Sequence, residues 1–369
     1  MHTRAAVLWE AGSPWSIEEL EVDEPRPGEV LVKMDYAGLC HTDDHAVSGE
    51  YSKPTPYVGG HEGSGTVIGV GSAVDRVEVG DQVLLVPTPS CASCRYCASG
   101  RQYLCRRRTV NASRDDGTHQ FVSGDGRGVG AYSKLGTFSE YTVVEQSYVF
   151  RRPDSMPGPV AAVISCAVLT GYGSSVHAAD VQPGDVVVVV GAGGIGLSAI
   201  MGAKVAGAAV VVAVDLNESK VKRALSMGAT HGATSLDEAR EVVAGVSGGA
   251  MADSVVVAVG LLRGNMIGAM AALTAPGGCV VLASVADARE DTVHLPLNDF
   301  ALTGKRLVGT LLGNCSPAVD VPRLFALYEA GALDLDGLIT ASYPLDEISQ
   351  GYADLLRGEN LRGIIDFSK

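Results

Sequence analysis

The clearest hydrophobic pattern in the chain consists of two apolar runs separated by a helix-compatible stretch. Five consecutive valines, Val186 to Val190, predict a strand that is buried on both faces. A helix-compatible stretch follows from Leu197 to about Ala206, and a second apolar run from Ala209 to Val214 predicts another strand, which ends at Asp215. This strand–helix–strand order is typical of an α/β domain built on a parallel sheet.

A glycine-rich turn joins the first of these strands to the helix. Its residues fit the G-x-G-x-x-G pattern of a dinucleotide-binding loop: Gly191, Gly193, Gly194, Ile195 and Gly196. The first glycine permits the tight turn, the second lets backbone N–H groups approach a pyrophosphate, and the last lets the helix pack closely on the strand. Asp215 follows about 20 residues later, where a carboxylate can accept from both ribose hydroxyls and repels a 2′-phosphate. The pattern therefore predicts NAD(H) rather than NADP(H).

Composition and charge narrow the class of protein. The 369 residues suffice for two domains, and 46% of them are hydrophobic, which excludes a disordered or fibrous chain. A net charge of −14 argues against nucleic acid and against an anionic membrane surface as partners. The longest uninterrupted apolar run, Val205 to Val214, is too short to span a bilayer, and the apolar stretch Ala5 to Trp9 is too short for a signal peptide. We therefore expect a cytoplasmic protein with no membrane partner.

Half of the eight cysteines are clustered. In a reducing compartment, clustered cysteines indicate metal binding or catalysis rather than disulfides. The cluster has the spacing C-x2-C-x2-C-x7-C and comprises Cys91, Cys94, Cys97 and Cys105. Four thiolates complete the closed tetrahedral shell of a structural Zn²⁺. An iron–sulfur cluster is the alternative, which the long last gap and the absence of a Cys-Pro ending disfavour.

Other cysteines and histidines offer a second set of metal ligands, spread along the chain. Cys40 begins a polar segment that ends at His45, His61 lies in a glycine-rich segment, and Cys166 lies in an apolar run. Two cysteines and a histidine would form the three-ligand, open-position site of a catalytic Zn²⁺. Residue types alone leave this open, because Cys166 could equally be a buried small hydrophobe and His45 an ordinary surface histidine.

Taken together, these features resemble the zinc-dependent, medium-chain alcohol dehydrogenases, from about Thr3 to Phe367. The motifs that complete the resemblance are Gly60-His61-Glu62-Gly63, Thr137-Phe138-Ser139-Glu140-Tyr141, Ile164-Ser165-Cys166, Thr170-Gly171-Tyr172-Gly173 and Asn360-Leu361-Arg362-Gly363. The resemblance implies an α/β protein with two domains. The first is a GroES-like catalytic domain, a distorted antiparallel β-barrel over 1–167 and 310–369. The second is a Rossmann domain, a doubly wound parallel sheet over 168–309.

The resemblance also implies the composition of the catalytic centre. Cys40, His61 and Cys166 would be the ligands of the catalytic zinc, with Glu62 as an occasional fourth ligand or close neighbour. Asp43 would orient the His61 imidazole.

The resemblance further implies a proton relay and contacts to the cofactor outside the glycine turn. Thr42 matches the hydroxyl that bonds the substrate oxygen, and His45 matches the surface end of the relay. His41 and Arg362 match contacts to the cofactor phosphates, and Lys220 matches a contact to the adenosine ribose.

The implied activity is transfer of a hydride between an alcohol and its aldehyde or ketone, with NAD(H) and two zinc ions per chain, one catalytic and one structural. The alternative within the family is oxidation of an S-hydroxymethyl thiol adduct of formaldehyde. That branch carries an acidic residue and an arginine where this chain has Tyr51 and Thr109, although Glu50 lies close by. Reduction of C=C or iminium bonds, and a zinc-scaffolded binding protein, are both disfavoured by the complete sets of ligands and relay residues.

The segment 111–136 has no clear periodicity and is rich in Gly, Ser and Asp. We expect a solvated loop here, with a lid or a dimer contact as the alternative. Its length is typical of the usually dimeric members of the family, so we expect a homodimer that acts on a small-molecule alcohol or aldehyde. The chain also resembles an actinobacterial branch that keeps its nicotinamide bound and regenerates it with a second substrate, and the motifs leave that property open.

Overall fold

The computed structural model describes residues 1–50, 54–108 and 112–369. Its contacts divide into two compact units. The first unit comprises Met1–Cys166, Ser316–Glu329 and Leu335–Lys369, and the second comprises Ala167–Cys315 and Ala330–Asp334. The division after Cys166 lies one residue before the expected boundary at 167. The division after Cys315 lies six residues after the expected boundary at 309. Tyr51, Thr109 and Asn111, on which two of the sequence interpretations depend, lie outside the described residues.

The described residues form eighteen strands, numbered here in chain order. They are β1 His2–Leu8, β2 Ser16–Val22, β3 Glu29–Gly38, β4 Tyr57–Val58, β5 Gly63–Val70, β6 Gln82–Leu85, β7 Phe121–Ser123, β8 Gly128–Ala131, β9 Tyr141–Glu145, β10 Val149–Arg151, β11 Val186–Val190, β12 Val210–Val214, β13 His231–Ala233, β14 Ala252–Val257, β15 Thr274–Leu282, β16 Arg306–Gly309, β17 Ile339–Tyr343 and β18 Arg362–Asp366.

The α-helices are mostly short. They are His41–Val47, Arg95–Ala98, Gly158–Val163, Leu169–Gly173, Gly194–Ala206, Glu218–Ser226, Leu236–Val246, Ile267–Ala271, Leu297–Leu302, Pro317–Glu329 and Ile348–Arg357. Two π-helical turns, Ile164–Val168 and Ser174–Ala178, extend two of them into one helical segment, Gly158–Ala178.

The helical segment Gly158–Ala178 is relevant to the expectation that the protein has no membrane partner. By length and composition alone, Gly158–Ala178 could cross a bilayer. Ser, Thr and Gly interrupt its apolar residues, so it contains no long uninterrupted apolar run. However, 83% of its most apolar window is buried inside the protein, as in a core helix.

The first unit contains a closed barrel and a larger sheet. The barrel has the order β1-β2-β7-β8-β4, and the sheet has the order β10-β6-β5-β3-β18-β17 with β9 paired to β3. Pairing is antiparallel except between β4 and β8 and between β17 and β18. This is the GroES-like distorted barrel that the resemblance implied. Its two parallel pairs depart from a purely antiparallel arrangement.

The expectation of a solvated loop over 111–136 is wrong for the part that the structure describes. β7 and β8 pair with each other and with β2 and β4, and thus close the barrel. Phe121, Val129 and Ala131 are buried in it. Strands of three and four residues are too short to show an alternating pattern, and the Gly- and Asp-rich turn between them dominates the local composition.

The second unit is the doubly wound parallel sheet expected for a Rossmann domain. Its order is β13-β12-β11-β14-β15-β16, and every neighbouring pair is parallel. The valines of β11 are buried against β12 and β14, as their β-branched run predicted. The helix after the glycine turn begins at Gly194, three residues before the predicted start. The order of the strands reverses at β11, and crevices at such points bind ligands at the carboxyl ends of the strands.

Candidate active site

The first unit brings four potential metal ligands into one group, of which three are buried and Cys166 is half-buried. The ligand atoms of Cys40, His61, Glu62 and Cys166 all lie within 4.8 Å of one another. Cys40 follows β3, His61 and Glu62 lie just before β5, and Cys166 lies on a π-helical turn. The structure thus places together residues that are more than 100 positions apart in the sequence, which spacing alone could not do.

Asp43 fixes the orientation of the His61 ring. Its Oδ1 lies 3.1 Å from His61 Nδ1 and also accepts from the Gly60 N–H at 3.2 Å. Both side chains are buried. A carboxylate at Nδ1 holds the proton on that nitrogen and leaves Nε2 as the ligand atom. Burial alone would lower the pKa of His61, but the charges of Asp43 and Cys40 raise it well above its ordinary value.

A hydrogen bond links the side chains of Cys40 and Cys166. The hydrogen bond with Cys166 is the main cause that holds the pKa of Cys40 well below its ordinary value, and the charge of His61 adds to it. The same bond, together with burial, raises the pKa of Cys166 well above its ordinary value. The lowered pKa of Cys40 favours its thiolate, which is the form in which cysteine binds metal.

Glu62 is fully buried beside these ligands. Its Oε2 accepts from Arg362 Nη2, whereas its Oε1 has no hydrogen-bond partner among the described residues. Burial raises the pKa of Glu62 to about 7, although the charge of Arg362 lowers it. Arg362, expected to contact a cofactor phosphate, is itself buried in this pair, and its Nε also lacks a partner in the described part of the chain.

The donor set fits a zinc ion. Two sulfurs and an imidazole form a three-ligand site, a set that leaves a fourth position open for substrate. A buried carboxylate oxygen without a hydrogen-bond partner destabilises the folded protein. A cation bound beside Glu62 would give its Oε1 a partner.

The four clustered cysteines converge on a separate centre in the same unit. The sulfurs of Cys91, Cys94, Cys97 and Cys105 lie within 4.8 Å of one another, and all four cysteines are free of disulfides. Cys97 lies on the short helix Arg95–Ala98, and its N–H points to Cys94 Sγ at 3.5 Å. Four sulfurs leave no open position, so this set fits a structural zinc.

Backbone donors prepare part of this cluster for the thiolate form. Although burial opposes it, N–H groups of Cys94 and Ser93 lower the pKa of Cys91 to about 6. Burial and the neighbouring thiols raise the pKa of Cys97 to about 12. Burial and neighbouring thiols therefore disfavour a thiolate at Cys97, an effect that a cation bound by the four sulfurs would offset.

The proposed relay residues lie on the helix that follows Cys40. Thr42 Oγ1 is half-buried, 3.5 Å from Cys40 Sγ. His45 is buried on the same helix, and its Nδ1 lies 2.7 Å from Glu50 Oε2. His41, expected at the cofactor phosphates, is half-buried at the start of this helix.

Sequence reasoning missed Tyr132, which also reaches this centre. Its ring centroid lies 5.7 Å from that of His61, and its hydroxyl donates to the Thr42 carbonyl at 3.4 Å. The next two residues, Ser133 and Lys134, have left-handed φ values of 52° and 62°, a strained conformation for residues other than glycine. Tyr132 lies within the Gly-, Ser- and Asp-rich segment 111–136, in which no sequence motif marked a functional position.

The glycine turn of the second unit is shaped for a dinucleotide. Gly191 has φ +96°, and a Cβ there would meet the Ala258 carbonyl, whereas a Cβ at Gly196 would meet the Gly191 carbonyl. A Cβ at Gly193 would meet open space, which leaves its backbone accessible to a ligand. Gly194 and Ile195 start the helix, whose first N–H groups have no partner within the helix and favour an anion.

Asp215 stands at the end of β12, beside this turn. Its Oδ2 accepts from the Ala192 N–H at 2.8 Å and its Oδ1 from the Asn217 N–H at 2.9 Å. The carboxylate is thereby fixed next to the glycine turn, with further lone pairs available for ribose hydroxyls. Lys220 is half-buried in the first turn of the next helix, Glu218–Ser226.

Comparisons with known proteins agree with this geometry. Residues 26–154 match the model of the alcohol dehydrogenase GroES-like domain, and residues 194–329 match that of the zinc-binding dehydrogenases. The chain is 42% identical to putative alcohol dehydrogenase D of Mycobacterium tuberculosis over 99% of this chain and 100% of that protein. It is 43% identical to the NDMA-dependent alcohol dehydrogenase of Amycolatopsis methanolica, over 99% of both.

Among solved structures, the benzyl alcohol dehydrogenase of Acinetobacter calcoaceticus has a TM-score of 0.91 at 28% identity, with 99% of each chain covered. An alcohol dehydrogenase zinc-binding domain protein from Burkholderia ambifaria has a TM-score of 0.93 at 29% identity, with the same coverage.

Proposed function

Because the chain belongs to the zinc-dependent medium-chain alcohol dehydrogenase family, an assignment its relatives and domain matches carry, we propose that it interconverts alcohols and carbonyl compounds with NAD(H) and two zinc ions. Its class, an oxidoreductase acting on alcohols, follows from the family. The observation that carries the metal part of the proposal is the group of Cys40, His61, Glu62 and Cys166.

A zinc ion held by Cys40, His61 and Cys166 would act as a Lewis acid toward the substrate oxygen. The chain's own residues then handle the proton. The Thr42 hydroxyl takes the proton of the alcohol and passes on its own, and His45 delivers it toward solvent. His45 suits this role because histidine exchanges protons near neutral pH. Asp43 keeps the His61 ring in place, and Glu62 with Arg362 supplies balanced charge beside the ligands.

NAD(H) is proposed as the hydride carrier, because the glycine turn and Asp215 provide the donors and the acceptor that it needs. The backbone N–H groups at the start of the helix Gly194–Ala206 would bind the pyrophosphate. Asp215 would accept from the ribose and disfavour NADP(H). His41, Lys220 and Arg362 are proposed as further cofactor contacts.

A second zinc ion is proposed at Cys91, Cys94, Cys97 and Cys105, with a structural role. The support is the convergence of four sulfurs on one point. Such a closed site would hold together the segment 91–108, whose secondary structure consists of short helical turns.

We propose a homodimer in the cytoplasm. Exposed apolar side chains support the dimer: Leu297 and Leu302 on one helix of the second unit are 75% and 80% exposed. β16 is the last strand on one side of the described sheet and offers backbone groups for pairing. The free state of the eight cysteines supports a reducing compartment.

Retention of bound NAD(H) is proposed on the strength of the Amycolatopsis relative, whose name states that it depends on NDMA. A chain that kept its nicotinamide would need a second substrate to regenerate it. Oxidation of an S-hydroxymethyl thiol remains the alternative activity, which requires added thiol together with formaldehyde.

One set of assays tests the proposal. Zinc and nicotinamide are quantified in the purified protein, and turnover is measured on an alcohol and aldehyde panel that includes benzyl alcohol, with and without NAD⁺ and NDMA. Two zinc ions per chain and oxidation of at least one alcohol are expected. Nicotinamide in the purified protein and turnover that needs NDMA but no added NAD⁺ would support retention, whereas a protein without nicotinamide that needs added NAD⁺ would refute retention alone. Turnover of formaldehyde only with thiol would select the alternative, and no turnover of any alcohol would refute the proposed activity.

A further inference from the structure

The buried imidazole of His45 has a carboxylate partner that the motifs did not assign. Glu50 Oε2 lies 2.7 Å from His45 Nδ1. Ser48 Oγ lies 3.3 Å from the same carboxylate oxygen and 3.2 Å from the His45 carbonyl oxygen, and its single proton can be donated to either. The His45 side chain is only 8% exposed, whereas that of Glu50 is 27% exposed. The carboxylate therefore lies between a buried ring and the solvent.

We propose that Glu50 is the positioning residue of the proton relay: it fixes the tautomer of His45 so that Nε2 accepts the substrate proton. This inference rests on the proposed function, in which His45 takes a proton during alcohol oxidation. It adds a partner that determines which ring nitrogen acts as the base.

The proton balance follows from the groups involved. An ionised carboxylate only accepts hydrogen bonds, so a neutral His45 must place its single N–H at Nδ1, facing Glu50. Nε2 then carries the lone pair that receives the proton released through Thr42. The resulting imidazolium is ion-paired with Glu50 and loses one proton to water, which restores the neutral ring. No electron transfer is involved in these steps.

Within the described part of the chain, Asp44 and His41 are further titratable groups near the ring. Asp44 is half-buried; burial raises its pKa, and the charge of His45 partly offsets that rise. The His41 ring centroid lies 6.4 Å from that of His45. Asp44 thus contributes negative charge on the same helix. Asp44→Asn is therefore a matched control, because it removes a nearby charge and keeps the hydrogen bond between Glu50 and His45.

The kinetic test compares Glu50→Gln, Glu50→Ala and Asp44→Asn in the purified, metal-loaded protein. Glu50→Gln retains an acceptor without the charge, so we expect kcat for alcohol oxidation to fall about 3- to 10-fold, and further in Glu50→Ala. The solvent isotope effect on kcat should rise in both, and KM for the alcohol should stay within about twofold. Asp44→Asn should change kcat by less than about twofold. A loss as large in Asp44→Asn would attribute the effect to local charge and overturn the proposal.

A double-mutant comparison separates relay from folding. In a His45→Gln background, Glu50→Gln should cause no further loss of kcat, because its effect passes through the imidazole. The same loss in both backgrounds would contradict the proposed role.

A measurement independent of turnover reads the tautomer directly. In protein labelled with ¹⁵N-histidine, the His45 signals are identified by their loss in His45→Gln. They should report a protonated Nδ1 in the parent chain and a larger share of protonated Nε2 in Glu50→Ala. An unchanged tautomer would overturn the inference. If the parent chain oxidised no alcohol, the proposed function would fail, whereas the NMR result would still decide the role of Glu50.

Discussion

Asp43 and His61 form a buried pair in which the carboxylate oxygen Oδ1 lies 3.1 Å from the imidazole Nδ1. The pair lies beside Cys40 and Cys166 and joins the helix His41–Val47 to the loop before β5. This hydrogen bond means that the protein itself holds the His61 imidazole in a fixed orientation.

Replacing Asp43 by Asn should weaken zinc binding at the catalytic centre. The amide keeps the shape but removes the charge that stabilises the ring orientation, and loss of such partners costs about 10- to 100-fold in metal affinity. Competition with a chelator of known zinc affinity measures the change. Asp44→Asn, which removes a charge from the same helix but keeps the hydrogen bond between Asp43 and His61, should keep the parent affinity, and equal weakening in both variants would argue against orientation by Asp43.

Two glycines of the turn should respond differently to alanine. Gly193→Ala places its Cβ in open space, so the free energy of unfolding should change by less than about 1 kcal/mol. The methyl group would occupy the approach to the proposed pyrophosphate, and the Kd for NAD⁺ should rise at least about tenfold. Calorimetric titration and thermal unfolding measure both quantities.

Gly191→Ala is the companion variant. Its left-handed φ and the contact with the Ala258 carbonyl predict a lower Tm as well as lost cofactor binding. Normal NAD⁺ affinity in Gly193→Ala would contradict a dinucleotide at this turn.

Arg114 should stabilise the closure of the barrel. Its guanidinium donates to both carboxylate oxygens of Glu29 and to Asp23, and its side chain is only 7% exposed. Arg114→Met removes the cation that pairs with Glu29, although the Arg26 N–H still donates to Glu29 Oε2, so we expect a loss of about 1–3 kcal/mol of unfolding free energy. Urea denaturation measures it. Arg127→Met, which removes an exposed pair with Asp125, should cost less than about 1 kcal/mol, and similar losses in both would contradict the special role of Arg114.

Cys97→Ser should release the structural zinc and lower stability without removing the catalytic ligands. Because zinc binds thiolates, metal uptake displaces protons from thiols such as Cys97, whose pKa burial and its neighbours raise to about 12. Affinity at this cluster should therefore fall as the pH falls. Zinc release followed at several pH values checks the sign, and an affinity independent of pH would contradict thiolate ligation.

The strand–turn–helix unit and the cysteine cluster could be predicted from the sequence, because the residues that form each of them lie close together along the chain. The valines of β11, the glycine turn and Asp215 lie within about 30 residues and form one βαβ unit, which a pattern of apolar runs reveals. The cysteine cluster is likewise a short spacing motif.

Contacts between residues that are far apart in the sequence could not be predicted from motifs or spacing. Glu62 meets Arg362 across 300 positions, and only the fold brings Cys166 to Cys40 and His61. Tyr132 and the two barrel strands β7 and β8 lie in a Gly- and Ser-rich segment whose composition is typical of a loop. Pairing with β2 and β4 overrides that local composition.

Cys40, His61 and Cys166 are proposed to hold a catalytic zinc ion. Replacing one of these ligands, in Cys166→Ala, and measuring zinc content, NAD⁺ binding and alcohol turnover beside the parent chain tests this proposal. We expect one zinc ion per chain instead of two, NAD⁺ affinity within about threefold of the parent, and no detectable turnover. Normal turnover in Cys166→Ala would contradict it.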